Sequence, residues 1–308
     1  GDPVQAEYGI RRATGTAVLE MASAAGLPLV PPDRRDPWHT TTRGVGELIA
    51  DALERGCRNF LVGIGGSATN DGGAGMLAAL GFGLLDTDGQ PIPDGAAGLE
   101  QLCRIDTAGV RPELRNCRFR IACDVENPLC GPTGASAVYG PQKGAGPKVI
   151  PRLDAALRRF AEQAAAAFPG CDPDLPGCGA AGGLGFGFAA FLGAELRPGA
   201  AIVLEETGLA GLLQGSDLCF TGEGQFDCQT SMGKAPAAVA RLARVHGVPV
   251  LALAGSVQPD APLGEMNAVF PVLRTPMTLT EAMDPDTARR NIAAAAEQIL
   301  RLWQAARR

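Results

Sequence analysis

Histidine is almost missing from this chain: His39 and His246 are the two in 308 residues. That supply is too thin for a histidine-rich metal centre and gives a Ser-His-Asp triad little to draw on, so each is expected on the surface or in a loop. No apolar run reaches the roughly 20 residues needed to cross a bilayer. The polar opening Gly1-Asp2-Pro3-Val4 has neither the basic start nor the apolar middle of a signal peptide. No membrane partner is expected, and the cytoplasm is the expected location. The nine cysteines are an odd set with no C-x-x-C pair, which argues against a disulfide scaffold or a zinc knuckle and for buried thiols. Basic clusters are missing too. With 27 Lys+Arg against 33 Asp+Glu the formal charge is −6, and scattered arginines leave no electrostatic footprint for nucleic acid. Finally, G-x-x-x-x-G-K-[ST] occurs nowhere, and residues 63–73 read Gly63-x-Gly65-Gly66 instead of G-x-G-x-x-G. A P-loop kinase and a standard Rossmann dehydrogenase are both disfavoured.

What is plentiful is glycine, at 42 residues, and proline, at 24, spread among apolar runs. Many tight turns in a compact α/β protein follow from that pattern, and the length favours two domains. The alternation in 4–10 and 16–21 around Arg12-Ala13-Thr14-Gly15 predicts a β-hairpin, which hints at chain upstream of Gly1. A helix is expected over 46–53 with threonine at its cap, a strand over 59–64, a strand over 119–125 and an alanine-rich helix over 153–168. Residues 169–176 read as a linker. Beyond it, short strands at 217–220, 250–254 and 268–272 alternate with helices at 237–245 and 287–308, the pattern of a parallel, flavodoxin-like sheet.

The chain's chemistry gathers where strands end. The strand Phe60-Leu61-Val62 runs into Gly63-Ile64-Gly65-Gly66-Ser67-Ala68-Thr69-Asn70-Asp71-Gly72-Gly73 and then a helix. Glycines let backbone N–H groups approach an anion, and the helix start adds its dipole. A structural alternative is a tight turn in which Ser67, Thr69 or Asp71 caps the helix. The same composition recurs at 123–144, 221–234 and, less strongly, 255–258. Gly65, Gly66, Ser67, Asn70, Asn127 and Lys143 are candidates for binding substrate or phosphate. Asp71, Asp124, Glu223, Asp227 and Lys234 are candidates for the chemical step, and Asp71 and Glu223 for holding a metal through oxygen. Reversing the charge at Asp71 is expected to abolish turnover with the fold intact.

Five blocks together, GIGGSATNDGG at 63–73, ACDVENPLCGPTGASAVYGPQKGA at 122–145, GAAGGLG at 179–185, TGEGQFDCQTSMGK at 221–234 and LALAGS at 251–256, resemble the type I glycerate kinase family. The resemblance runs along the whole chain. It implies phosphorylation of D-glycerate with ATP and Mg²⁺, typically to 2-phosphoglycerate. The implied fold joins a flavodoxin-like, parallel three-layer domain to a mixed-sheet α/β domain inserted into it. That places the inserted domain at 1–177 and the C-terminal part of the flavodoxin-like domain at 178–308, with in-line transfer in a cleft between the two. A Ser-Phe-Lys segment and an Asp-Gly-Gly-Glu-Gly segment that the resemblance leads one to expect are not in this sequence, and the expectation is that they precede it. A homo-oligomer stays open. Two other readings remain at this stage: a non-catalytic remnant that only binds ligand, separated by an assay for ADP release, and a dinucleotide oxidoreductase, against which the missing fingerprint speaks.

Overall fold

A computed structural model describes residues 2–228, 230 and 234–307. Two compact units divide the chain, Gly1–Gly199 and Ala200–Arg308. Among the described residues no helix is long and apolar enough to cross a membrane.

In the first unit, β1 (Gly9–Arg11) and β2 (Thr16–Glu20) form the expected antiparallel hairpin, with β1 confined to the last residues before the turn. β3 (Asn59–Gly63) pairs in parallel with β2, and its Phe60, Leu61 and Val62 are all buried, as a strand covered on both faces requires. A small antiparallel pair, β4 (Gly83–Leu85) and β5 (Arg104–Asp106), forms a separate two-stranded sheet. β6 (Arg118–Ala122) joins β3 in parallel, and β7 (Glu195–Arg197) joins β6, giving the order β1-β2-β3-β6-β7. Glu20 pairs with Gly63, Gly63 with Ala122, and Ala122 with Arg197. Four carboxyl ends therefore share one sheet edge, which sets the loops after β3 and β6 side by side.

The apolar helix Ala180–Leu192 belongs to this unit, beyond the 177/178 division expected from the sequence. Its Phe186 and Phe191 pack on Phe160 of the helix Ile150–Ala167, and its Phe188 packs on Phe119 of β6. Such aromatic burial outweighs the composition change at Pro169–Pro176 that suggested a boundary.

The second unit holds a three-stranded parallel sheet in the order β10-β9-β8, with β8 (Cys219–Phe226), β9 (Val250–Val257) and β10 (Ala268–Pro271). On β9, Val250, Ala252 and Ala254 pack with Ala240 and Ala243 of the helix Ala235–Val245, while Leu251 and Leu253 pack with Ile299 of the helix Pro285–Ala306. Side chains alternate along a strand, so a continuous apolar run supplies two cores and three layers. One expectation fails here. Thr221–Phe226 is strand, not loop, because Gly222 and Gly255 serve close strand approach: a Cβ on Gly222 would stand 2.5 Å from Leu253 O, and one on Gly255 2.6 Å from Gly224 O.

Cysteines 57, 123 and 178 are buried as expected and five others half-buried, but Cys228 is exposed; all nine are free thiols. His39 is exposed on its loop beside Asp36, and His246 follows the helix Ala235–Val245.

Candidate active site

The turn after β3 takes its shape from left-handed glycines, Gly66 at φ 70°, Gly72 at 65° and Gly73 at 87°, where a side chain would be strained. Asp71 stands among them fully buried. Its Oδ2 accepts from Thr42 N and Thr42 Oγ1 at 2.8 Å each and from Gly75 N at 3.2 Å, and its Oδ1 accepts from Gly73 N at 3.1 Å. Thr42 Oγ1 in turn accepts from Met76 N at 3.0 Å. Thr42 precedes the helix Arg43–Glu54, and Gly75 and Met76 lie in the helix Ala74–Ala79, so one carboxylate ties together the starts of two helices. They can meet because Gly75 carries no side chain: a Cβ there would stand 2.6 Å from Arg43 N. Burial pushes the Asp71 carboxyl above its ordinary value, while the donors from Thr42, Gly73 and Gly75 pull the other way. With three donors on Oδ2 and one on Oδ1, Asp71 has most of its acceptor capacity used within the fold. The sequence placed this acid on metal or substrate; the structure places it inside the scaffold. The signal available in the sequence was Thr42, read only as a cap.

Lys143 is 2% exposed, and its Nζ donates to Ser67 Oγ and to Thr69 O, both at 2.7 Å. One lysine thus fixes the turn at 67–69 from across the fold. Loss of water around the ammonium lowers its pKa to about 7, with the Asp71 charge opposing the shift. An unfolded lysine holds its proton up to about pH 10.4. Between these values the unfolded chain binds the extra proton, so stability contributed at this position rises with pH. Lys143→Met removes the titration. The stability difference between the wild type and Lys143→Met, read from urea midpoints, is expected to move in favour of the wild type by roughly 1.4 kcal/mol per pH unit between pH 7 and 10. Parallel curves for the two proteins would remove the buried ammonium from this account.

Asn70, also fully buried, donates from Nδ2 to Ser136 Oγ at 2.9 Å, but its Oδ1 has no partner among the described residues, and neither has Thr69 Oγ1. Behind them, Ala181, Gly182 and Gly183 form three successive left-handed residues, and Gly182 O accepts from Gly72 N at 3.0 Å. Ser67, Asn70, Asp71 and Lys143 are therefore brought together. Gly65 and Gly66 lie in the same turn, and Gly66 O accepts from Leu27 N.

The loop after β6 holds Asp124 exposed, its Oδ1 accepting from Gly199 N at 2.8 Å. Asn127 is fixed at both ends: Oδ1 accepts from Tyr139 Oη at 2.6 Å, and Nδ2 donates to Thr133 O at 2.8 Å. No hydrogen bond among the described residues joins either side chain directly to the turn at 63–73. Ser136 and Tyr139, the residues that orient Asn70 and Asn127, were not singled out in the sequence, because neither carries a recognisable spacing signal.

In the second unit Glu223, Asp227 and Lys234 do converge. Lys234 Nζ lies 3.3 Å from Asp227 Oδ1 and 3.8 Å from Glu223 Oε2, with its side chain 40% exposed. Thr230, buried and missed by sequence, fixes Asp227: Thr230 N donates to Asp227 Oδ1 at 3.1 Å, and Asp227 N donates to Thr230 Oγ1 at 3.0 Å. Glu223 Oε1 is buried without a partner among the described residues. Gln229, Ser231, Met232 and Gly233, part of the 221–234 block, lie outside the described residues.

A buried lysine in the first unit and an exposed one in the second, each beside a glycine turn with acids at strand ends, define an α/β protein suited to anionic oxygen. Comparison with known proteins sharpens the class. The glycerate kinase family model matches residues 1–304. A glycerate kinase of Bacillus subtilis is 49% identical over 88% of this chain and 69% of its own length, and the glycerate 2-kinase of Escherichia coli is 47% identical over 96% of this chain and 79% of its own. A crystal structure described as glycerate kinase 2 from Salmonella typhimurium LT2 superposes with a TM-score of 0.88 at 44% identity, covering 99% of this chain and 80% of that one. This chain belongs to the glycerate kinase family, enzymes that transfer phosphate to an alcohol group.

Proposed function

We propose that this protein phosphorylates D-glycerate at the expense of ATP, with Mg²⁺, to give 2-phosphoglycerate. The observation that carries the reading is the set of unpartnered buried oxygens, Asn70 Oδ1 and Thr69 Oγ1 beside Lys143 in the first unit and Glu223 Oε1 beside Lys234 in the second. Desolvated oxygens and ammonium groups cost stability unless a ligand completes them. The names of the Escherichia coli and Bacillus subtilis relatives support the substrate and, for the former, the position of phosphorylation.

Mg²⁺ is commonly held by one or two carboxylates with the remaining places filled by phosphate oxygens and water. Asp71 does not fit that demand, since Thr42, Gly73 and Gly75 take its oxygens. Glu223 fits, through its open Oε1, with Asp227 beside it across Lys234. When bound, the ion would offset charge on the phosphoryl oxygens. Lys234 adds a second positive charge to that group, and Asp227, locked by Thr230, sets where the ammonium sits. Asp124 would accept the proton of the acid's hydroxyl, and Asn127, held by Tyr139, would orient it.

ADP release on mixing with D-glycerate and Mg-ATP tests the reading, with ³¹P NMR placing the phosphate on the C2 oxygen. Lys234→Ala is expected to lower kcat/KM about a hundredfold. Its melting temperature should hardly move, because exposed ion pairs contribute little to stability. Folded protein that releases no ADP would count against the kinase reading, and a C3 product would correct its position alone.

A further inference from the structure

Five buried side-chain atoms have no partner among the described residues, and only one belongs to a cation, Arg35 Nε. Arg35 follows the short turn Pro32–Arg34 in extended conformation, at φ −67° and ψ 117°. Its backbone lies against Gly144: a Cβ on that glycine would stand 2.9 Å from Arg35 Cβ, and Gly144 itself is left-handed, at φ 100°. The preceding residue, Lys143, reaches Ser67 and Thr69. A few residues on, Thr40 Oγ1 donates to Ala68 O at 2.9 Å. Segment 35–40 is thus tied to the same turn that Lys143 braces.

Other arginines around it are matched. Arg34 pairs with Asp2 at 3.3 Å and Arg43 with Asp94 at 2.7 Å. Asp36, the carboxylate next in the chain, is taken by His39 Nδ1 at 2.6 Å and by Trp38 N at 3.0 Å. Arg34 and Asp36 line an open cavity of about 980 Å³ in this unit, and Arg35 does not. Arg35 has no ion pair or hydrogen bond among the described residues, and its Nε is buried away from water. A guanidinium fork matches the two oxygens of a carboxylate or phosphate, and that match is what such a position lacks.

We propose that Arg35 binds the anionic oxygens of this enzyme's substrates, the carboxylate of the hydroxy acid or a phosphate of the nucleotide. The assignment rests on the kinase reading above. Calorimetric titration of the wild type, Arg35→Gln and Arg35→Lys with D-glycerate and, separately, Mg-ATP tests it. Arg35→Gln should weaken one of the two ligands at least tenfold, and the ligand affected identifies the anion. Arg35→Lys should recover only part of the loss, because a point charge does not reproduce the fork. Unchanged affinity for both ligands in Arg35→Gln overturns the proposal, as does full affinity for both in Arg35→Lys if the glutamine variant fails to fold. A wild-type protein that binds neither ligand removes the kinase reading and the proposal with it, whereas wild-type binding that survives Arg35→Gln removes Arg35 alone.

Discussion

Asp71→Ala is expected to lower stability by roughly 3–5 kcal/mol, the range seen when one partner of a buried charged network is removed. Four donors lose their acceptor at once: Thr42 N, Thr42 Oγ1, Gly73 N and Gly75 N. Each buried donor left without a partner costs about 1–3 kcal/mol, and partial relaxation or entering water keeps the sum below four times that value. Asp71→Asn should fare little better, since its amide NH₂ would face the donor side of Thr42 or Gly73. For a unit of this size the loss corresponds to a melting temperature about 10 °C lower. Calorimetry with near-ultraviolet circular dichroism reads the result. Asp71→Lys should fail to fold, in contrast to the inactive but folded protein that the loop's composition suggests. An Asp71→Ala protein that melts with the wild type yet lacks turnover would return this carboxylate to the chemistry.

Gly182→Ala is expected to be comparably damaging, and through backbone rather than charge. The added Cβ would overlap Thr69 O and stand 2.7 Å from Asn70 Cα, and no flexible side chain is there to give way. Residue 182 also sits at φ 68°, a conformation that disfavours any side chain. Overpacking costs about 1–3 kcal/mol and left-handed strain about 1–2 more. The displaced atoms are those that Lys143 and Ser136 hold in place, so D-glycerate binding should fall along with the melting temperature. Ala181→Gly provides the contrast. Ala181 is the one non-glycine with positive φ among the described residues, at 53°, and glycine there relieves strain while loosening the unfolded chain. The two effects are of similar size, so Ala181→Gly should melt within a few degrees of the wild type. If Gly182→Ala left both melting and ligand affinity unchanged, the contact between residues 182 and 69 would not constrain the turn.

Much of the scaffold was legible from pattern. β3 and its glycine turn, the helix near 46–53, the helix near 153–168 and the strand at 250–254 all carry periodicity or punctuation that local physics reads directly, and the structure has them within a few residues of the expected bounds. The glycines of β8 misled, since a glycine that admits a neighbouring strand has the same appearance in sequence as one that makes a turn. For the site, Ser67, Asn70, Asp71 and Lys143 were named from composition and do gather, as do Glu223, Asp227 and Lys234.

By itself, the sequence determined an α/β protein of two parts, the glycine turns at strand ends and the family to which the chain belongs. Those properties depend on short-range periodicity and on blocks of residues that stand together. The tertiary structure alone decided which charged groups serve the fold and which stay open. Asp71 and Asn70 are neighbours in one turn with equal claims in sequence, yet Thr42, twenty-nine positions away, supplies two of the four donors to the first, while Ser136, sixty-six away, takes one end of the second and leaves Oδ1 open. A side chain's role follows from the hydrogen-bond partners and the water left to it after folding, and those come from distant parts of the chain.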